Sequence, residues 1–559
     1  MHLRPAPVAL CLAASLCACT SGPRNDAPPA ASSAPASAPA SAADEAQRWW
    51  SHVEYLASDA LEGRNTGSPG HAKAAAYVAQ KLAEAGAEPA GVEGFLQPIE
   101  LEARTVVEEK SRLALVRGGK AEPLAIGEHA VIGARAGEEG RTDAPLVFAG
   151  YCLSMPEAGH DDFAGLDLKG KLVACMQGGP AGASAPLRAH ASSLGERWAV
   201  LERAGALGMV NLANPKFVDI PWERATLARK QPSMVFADPA LQEARGARLF
   251  VGWNPAHTDR LFEGSGHTLA ELLALADAEK PLPRFPLAVR LQAEVAFTRS
   301  PVRSQNVAGL LPGADPALRG EVVVMSAHLD HLGVGEPING DAVYNGAMDN
   351  ASGVAALLET ARALAAGPRP RRSVAFVAVT GEEKGLLGSR HFALHPSVKG
   401  KLVADVNVDM FLPLHPLKRL VAYGADESTL KAPLEAVARE RGLELLPDRE
   451  PNRVLFVRSD QYNFVRVGVP ALALKFAALP GSPEEQLHRT WVRERYHAPS
   501  DDLQQPLDRE AAAQFNRLVA DLLRRVADAP TPPSWNADSF FRRFAAQPQG
   551  APGAAPRAR

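Results

Sequence analysis

The stretch EVVVMSAHLDHLGVG, residues 321–335, begins as an almost unbroken apolar run and then crowds His328, Asp330 and His331 into four positions. A short run rich in β-branched residues reads as a strand buried on both faces. Histidines at a strand end are most often solvated or satisfied in the core, so the chemistry has to be read from what lies around them. Downstream, GVAALLETARALAAG (353–367) carries Val354, Leu357, Leu358, Ala361 and Leu364 on one helical face. SVAFVAVT (373–380) and KLVADVNVDM (401–410) read as further strands, STLKAPLEAVARERG (428–442) as a helix, and VPALALKF (469–476) as another strand. Upstream, HAKAAAYVAQKLAEAG (71–86) has helical spacing and a glycine stop. Near-continuous apolar strands between helices predict an α/β sheet covered on both faces, with sites at the carboxyl ends of its strands.

At 559 residues the chain is too long for one ordinary core, and two or three folded units are expected. A formal charge of −3 and the lack of a basic stripe with interleaved aromatics argue against a nucleic-acid partner. Residues 1–19 read as an export signal: a basic start, a short apolar stretch and LCAC (16–19), which resembles a bacterial lipobox with Cys19 as the lipid-bearing residue. The expectation is a periplasmic or outer-membrane lipoprotein, tethered only through that lipid, with plain secretion as the alternative. Residues 20–45 form a Pro/Ala/Ser-rich linker and 531–559 a Pro/Ala-rich tail. Segment 125–297 offers short β-type runs (APLVFAGYC, KLVACMQ, MVNLAN, PSMVFA) broken by Gly, Pro and Asp, and is expected to be an inserted β-rich domain between 46–124 and 298–530. Within it lie Cys152 and Cys175, for which a disulfide and two inert thiols are both open.

Four more clusters join the first: YNGAMDNASG (344–353), TGEEKGLLGS (380–389), DVNVDM (405–410) and RYHAPSDD (495–502). Each supplies His, Asp or Glu from a strand end or Gly-rich loop, and together they form the mixed imidazole and carboxylate set that suits zinc. Neighbouring side chains leaving a strand diverge, so of Glu382 and Glu383 one can bind metal while the other faces substrate as a proton carrier. Asp330, two residues beyond His328, is placed to orient that imidazole. His331 is assigned no role.

These motifs in this order resemble the bacterial co-catalytic zinc aminopeptidases of metallopeptidase family 28, whose pattern runs H-x-D, G-A-x-D-N-A-S-G, E-E-x-G-L-x-G-S, D-M and Y-H-x-P-x-D. The resemblance covers about 46–125 and 300–530 and implies a zinc-exopeptidase-like mixed sheet. GYCLSMPEAGHDDFAGLDLKGKLVAC in the insert resembles a protease-associated domain. The resemblance implies two Zn2+ ions: His328 and Asp409 on one, Glu383 and His497 on the other, and Asp349 bridging. It implies Glu382 as general base and acid, Tyr496 as oxyanion donor, Asp330 behind His328, Asp501 as a supporting residue, and Ser459 and Asp460 near the substrate. It also implies a cis Asp349–Asn350 bond.

The implied reaction is hydrolysis of N-terminal residues from peptides. A glutaminyl cyclase-like transferase and a carboxypeptidase are alternatives on the same fold, and a non-enzymatic surface peptide-binding protein is a third.

Overall fold

The computed structural model describes residues 41–546; the signal, the lipobox, nearly all of the linker and the end of the tail lie outside the described residues. Of the described residues, 42–546 form one compact unit. Its main element is a ten-stranded mixed sheet. Nine of the strands are β1 (Leu96–Val106), β2 (Ser233–Phe236), β3 (Phe297–Leu311), β4 (Glu321–His328), β5 (Ser373–Val379), β6 (Lys401–Asn407), β7 (Arg419–Tyr423), β8 (Glu444–Leu446) and β9 (Ala471–Phe476). They lie in the order β2-β1-β3-β5-β4-β6-β9-β7-β8, with the short Glu88–Pro89 pairing beside β3. The four central strands β5, β4, β6 and β9 are parallel, and β3, β1 and β7 are antiparallel to their inner neighbours.

The apolar runs explain this position. In β4, Val323, Met325 and Ala327 point to one face and Val322 and Val324 to the other, and all five are fully buried. The first face packs against helices α1 (Ala42–Leu56), α2 (Pro69–Glu84) and α3 (Ser352–Ala366), and against the helix Arg509–Asp528, through residues such as Trp49, Val78, Leu357 and Leu522. The second packs against the helices Leu387–Leu394 and Gln461–Arg466 through Phe392 and Phe464. Ser68 caps α2 by accepting the His71 N–H at 3.1 Å, with Pro69 in the first turn, which fixes where the chain leaves the loop beneath the site.

A second, eight-stranded sheet is built from strands between Arg112 and Val295, with its own apolar core around Leu115, Phe148, Val210, Trp253 and Leu291. Cys152 and Cys175 are joined in a disulfide on its other face. The run PSMVFA does not join this sheet: β2 leaves the insert and pairs with Leu101–Arg104 of β1 in the large sheet. Among the described residues no helix is long and apolar enough to cross a membrane.

Candidate active site

Parallel pairing of β4, β5 and β6 brings their carboxyl ends side by side, with His328 opposite Val379 and Ser326 opposite Asn407. The residues that follow therefore converge: His328 ends β4, Glu382 and Glu383 follow β5, and Asp409 follows β6. Asp349 comes from the irregular turn that opens α3, and its bond to Asn350 is cis. Asp501 holds that turn by accepting the main-chain N–H groups of Met348 (2.9 Å) and Asp349 (3.0 Å). Asn350 ties it to the Asp409 strand end by donating to Val408 O at 2.9 Å.

Two clusters of ligand-type atoms share Asp349: His328 with Asp409, and His331 with Glu383, the latter also reached by His497. On one side His328 Nε2 is 3.1 Å from Asp349 Oδ1 and 3.3 Å from Asp409 Oδ1. On the other, His497 Nε2 is 3.3 Å from Asp349 Oδ2 and 3.2 Å from Glu383 Oε2. All five implied ligands are thus brought together, with the two oxygens of Asp349 facing opposite halves. Glu382 stands beside them without entering either group and lines a cavity of about 890 Å³ together with Asp349, Asp409, Tyr496 and His497. The Tyr496 ring lies tilted against His497, with 4.0 Å between ring centroids. Ser459 lines the same cavity and accepts from Asn407 Nδ2 at 2.9 Å, and Asp460 is fully buried.

Two residues are placed differently from the reading of the sequence. Asp330 does meet His328 Nδ1, but through its main-chain carbonyl at 3.1 Å. Its carboxylate is turned away, accepting the Thr66 hydroxyl at 2.8 Å and the Glu382 N–H at 3.1 Å, so it braces the glutamate loop and not the imidazole. His331, given no role, is fully buried inside the site with Nδ1 2.7 Å from Glu383 Oε1. Arg64 was also missed. Its buried guanidinium donates to Leu329 O (3.0 Å), Asn345 O (2.7 Å) and Gly346 O (3.0 Å), pinning both histidine and aspartate loops from below. Nothing in LEGRNTG marks such a role locally, because the loop carbonyls it pins lie 265 to 282 residues away.

The electrostatics ask for added positive charge. Asp349, Glu382, Glu383 and Asp409 crowd together, while the fixed cations facing them are few: Arg64 toward Asp349 and Glu383, Arg135 toward Glu382, Lys384 toward Glu383, and Lys475 toward Asp409. Burial would lower His497, yet Glu383 and Asp349 overcome it and hold the imidazole up at about 10. Burial, reinforced by Glu383, Asp409 and Asp460, pushes Glu382 well above the usual carboxylate range. Burial likewise raises the Tyr496 phenol, keeping it a proton donor. Clustered buried acids are costly unless paired or bound to cations. Histidines and carboxylates on a shared aspartate are the donor set that divalent zinc satisfies, so the residues present fit a metal centre.

Residues 306–523 match the model of peptidase family M28. Every implied ligand lies within that M28 region. Leupeptin-inactivating enzyme 1 of Streptomyces exfoliatus is 36% identical over 117 residues, covering 20% of this chain and 24% of that protein. A probable zinc metalloprotease of Pyrenophora teres f. teres is 27% identical over 245 residues, covering 42% of this chain and 51% of that protein. The chain spans about half, or less, of the length of these curated relatives. In three dimensions it resembles an aminopeptidase from Aneurinibacillus sp. strain AM-1, with a TM-score of 0.51 and 20% identity over 87% of this chain and 95% of that one. The fold matches that of this aminopeptidase, a mixed sheet flanked by helices, and the M28 match runs from within β3 into the helix Arg509–Asp528.

Proposed function

We propose that this chain is an exported metallo-aminopeptidase that holds two zinc ions and removes residues from peptide N-termini. The observation that carries the reading is the division of Asp349, whose Oδ1 lies 3.1 Å from His328 and whose Oδ2 lies 3.3 Å from His497. His328 and Asp409 would hold one ion, Glu383 and His497 the other, and Asp349 both. Zinc, when bound, supplies Lewis-acid activation of water and of the scissile carbonyl.

The chain's own residues do the rest. Glu382, free of the ligand groups and lining the cavity, takes a proton from the attacking water as its oxygen bonds to the carbonyl carbon. The Tyr496 hydroxyl donates to the oxygen that gains negative charge. When the C–N bond breaks, Glu382 returns the proton to the departing amine. Burial raises its pKa, which makes the carboxylate a stronger proton acceptor than an exposed glutamate.

The insert, read as a protease-associated domain, narrows the approach. Pro215, Lys216, Val218 and Asp219 line the main cavity, and Arg135 and Arg224 line a second one of about 380 Å³ that reaches Glu383 and His497. A carboxypeptidase is the second reading. It is favoured by Lys475 and Arg458 in the main cavity, groups suited to a substrate carboxylate. The lipobox supports an outer-membrane or periplasmic location.

The test is mass spectrometry of one synthetic peptide with a free N-terminal Gln, incubated with purified protein with and without chelator. Chelator-sensitive loss from the N-terminus is expected. Loss from the C-terminus would select the second reading, loss of ammonia alone would mean a cyclase, and an unchanged peptide in every condition would return the chain to a binding role.

A further inference from the structure

We propose that His331 is a further ligand of the ion held by Glu383, His497 and Asp349, an assignment that rests on the metal-site reading above. Its ring is fully buried, and neither ring nitrogen has an aligned hydrogen-bond partner. Glu383 Oε1, 2.7 Å from His331 Nδ1, is likewise without one. Two facing polar atoms, both buried and both unmatched, mark a place where a third atom belongs. Asp349 Oδ2 closes the same space at 3.9 Å from Nδ1. His497 stands on its far side, edge to face with His331 at 5.8 Å between centroids.

The imidazole is seated there by construction. The His331 N–H donates to Arg64 O at 3.3 Å. The ring lies on Gly346, where a Cβ would come within 2.5 Å of its Cγ, so the loop leading into Asp349 admits only glycine at that point. Burial by itself would not suffice. His71 is equally buried with both nitrogens unmatched, but burial and the charge of Arg64 hold it neutral at about 3, and it belongs to no ligand group. His331 differs in facing two carboxylates.

With this residue counted, the Glu383 half offers His331, His497, Glu383 and Asp349, against His328, Asp409 and Asp349 on the other side. The two ions should therefore differ in affinity, the Glu383 ion being the tighter, and His331 should govern that one alone.

The experiment uses zinc-loaded full-length protein, its His331→Ala and His331→Asn variants, zinc analysis, competition with a chromophoric chelator, and X-ray absorption at the zinc edge. Asparagine keeps a donor N–H near the Nδ1 position and cannot replace an imidazole ligand. Expected are two zinc ions sharing three imidazoles in the unaltered protein, and more than about a tenfold loss of affinity for one ion in both variants, with the other unchanged. Two imidazoles shared by two ions, or an Asn variant that keeps both ions at full affinity, would overturn the assignment and leave the five-ligand site standing. A protein that takes up no zinc would remove the metal-site reading itself. The absorption spectrum needs no variant, so the question is settled even if both substitutions prevent folding.

Discussion

The two sheets of this chain treat charge in opposite ways. At the carboxyl ends of β4, β5 and β6, carboxylates and imidazoles are gathered inward, largely without fixed counter-charges, in a region otherwise packed with Val, Ala and Phe. In the second sheet the interior around Phe148, Leu291 and Trp253 is apolar, and the charges sit outside in pairs such as Arg290–Asp143 (2.8 Å) and Arg141–Glu294 (3.1 Å). Its covalent tie is the Cys152–Cys175 disulfide. The first region is unfavourable as folded protein alone and is built to hold something. The second is built to keep its shape. Substitutions should accordingly separate activity from stability according to the sheet they fall in.

The largest effect should come from Asp349→Ala. With the shared carboxylate gone both ions should be lost, and peptide hydrolysis should fall below detection while zinc analysis reads close to none. Retention of both ions would break the claim that Asp349 serves the two halves. Next is Glu382→Gln, which should lower kcat by about 10²- to 10⁴-fold with zinc content unchanged. Near-normal turnover would remove its role as proton carrier.

The second sheet should answer in the other currency. Replacing Cys152 and Cys175 by serine should cost about 3 kcal/mol in urea unfolding, given a sequence separation of 23, with kcat changed less than twofold. A large loss of activity without loss of stability would show the two regions to be coupled. Smaller still is the acid response of Glu243, a carboxylate of the insert that pairs with Arg390 (2.7 Å) and Arg466 of the large domain. Burial would raise it, but the arginines win and lower it to about 2. Its contribution is therefore complete above about pH 4.5 and fades as pH falls toward 2; in Glu243→Gln that part of the acid destabilisation should disappear. The smallest effect is Asp143→Ala at an exposed pair, about 0–1 kcal/mol.

Much of the large sheet could be read from sequence because its strands are long apolar runs and the candidate ligands sit at their ends. EVVVMSAH and SVAFVAVT became β4 and β5 to within one residue, and KLVADVNVDM became β6, which stops three residues earlier at Asn407. What could not be read depends on convergence. The Asp330 carboxylate was expected on His328 from its spacing, but the backbone turns its carbonyl there and leaves the side chain to Thr66 and Glu382. His331 looked like a bystander because Glu383 lies 52 positions away, where no local pattern links them. Arg64 and the return of Ser233–Phe236 to the large sheet were hidden for the same reason: partner strands and loops far apart in the chain carry no mark of each other.

That returning strand has a practical consequence. It covers Leu101–Arg104 on the outer edge of the eleven-residue β1, so the residues 112–295 cannot be treated as a detachable cassette. Replacing them with a short linker would uncover the main-chain donors and acceptors of Leu101–Arg104 and lengthen the open edge of β1, a template for another copy of the same chain. A minimal version of this protein made for crystallisation or engineering should therefore keep Ser233–Phe236 in place, or precipitate.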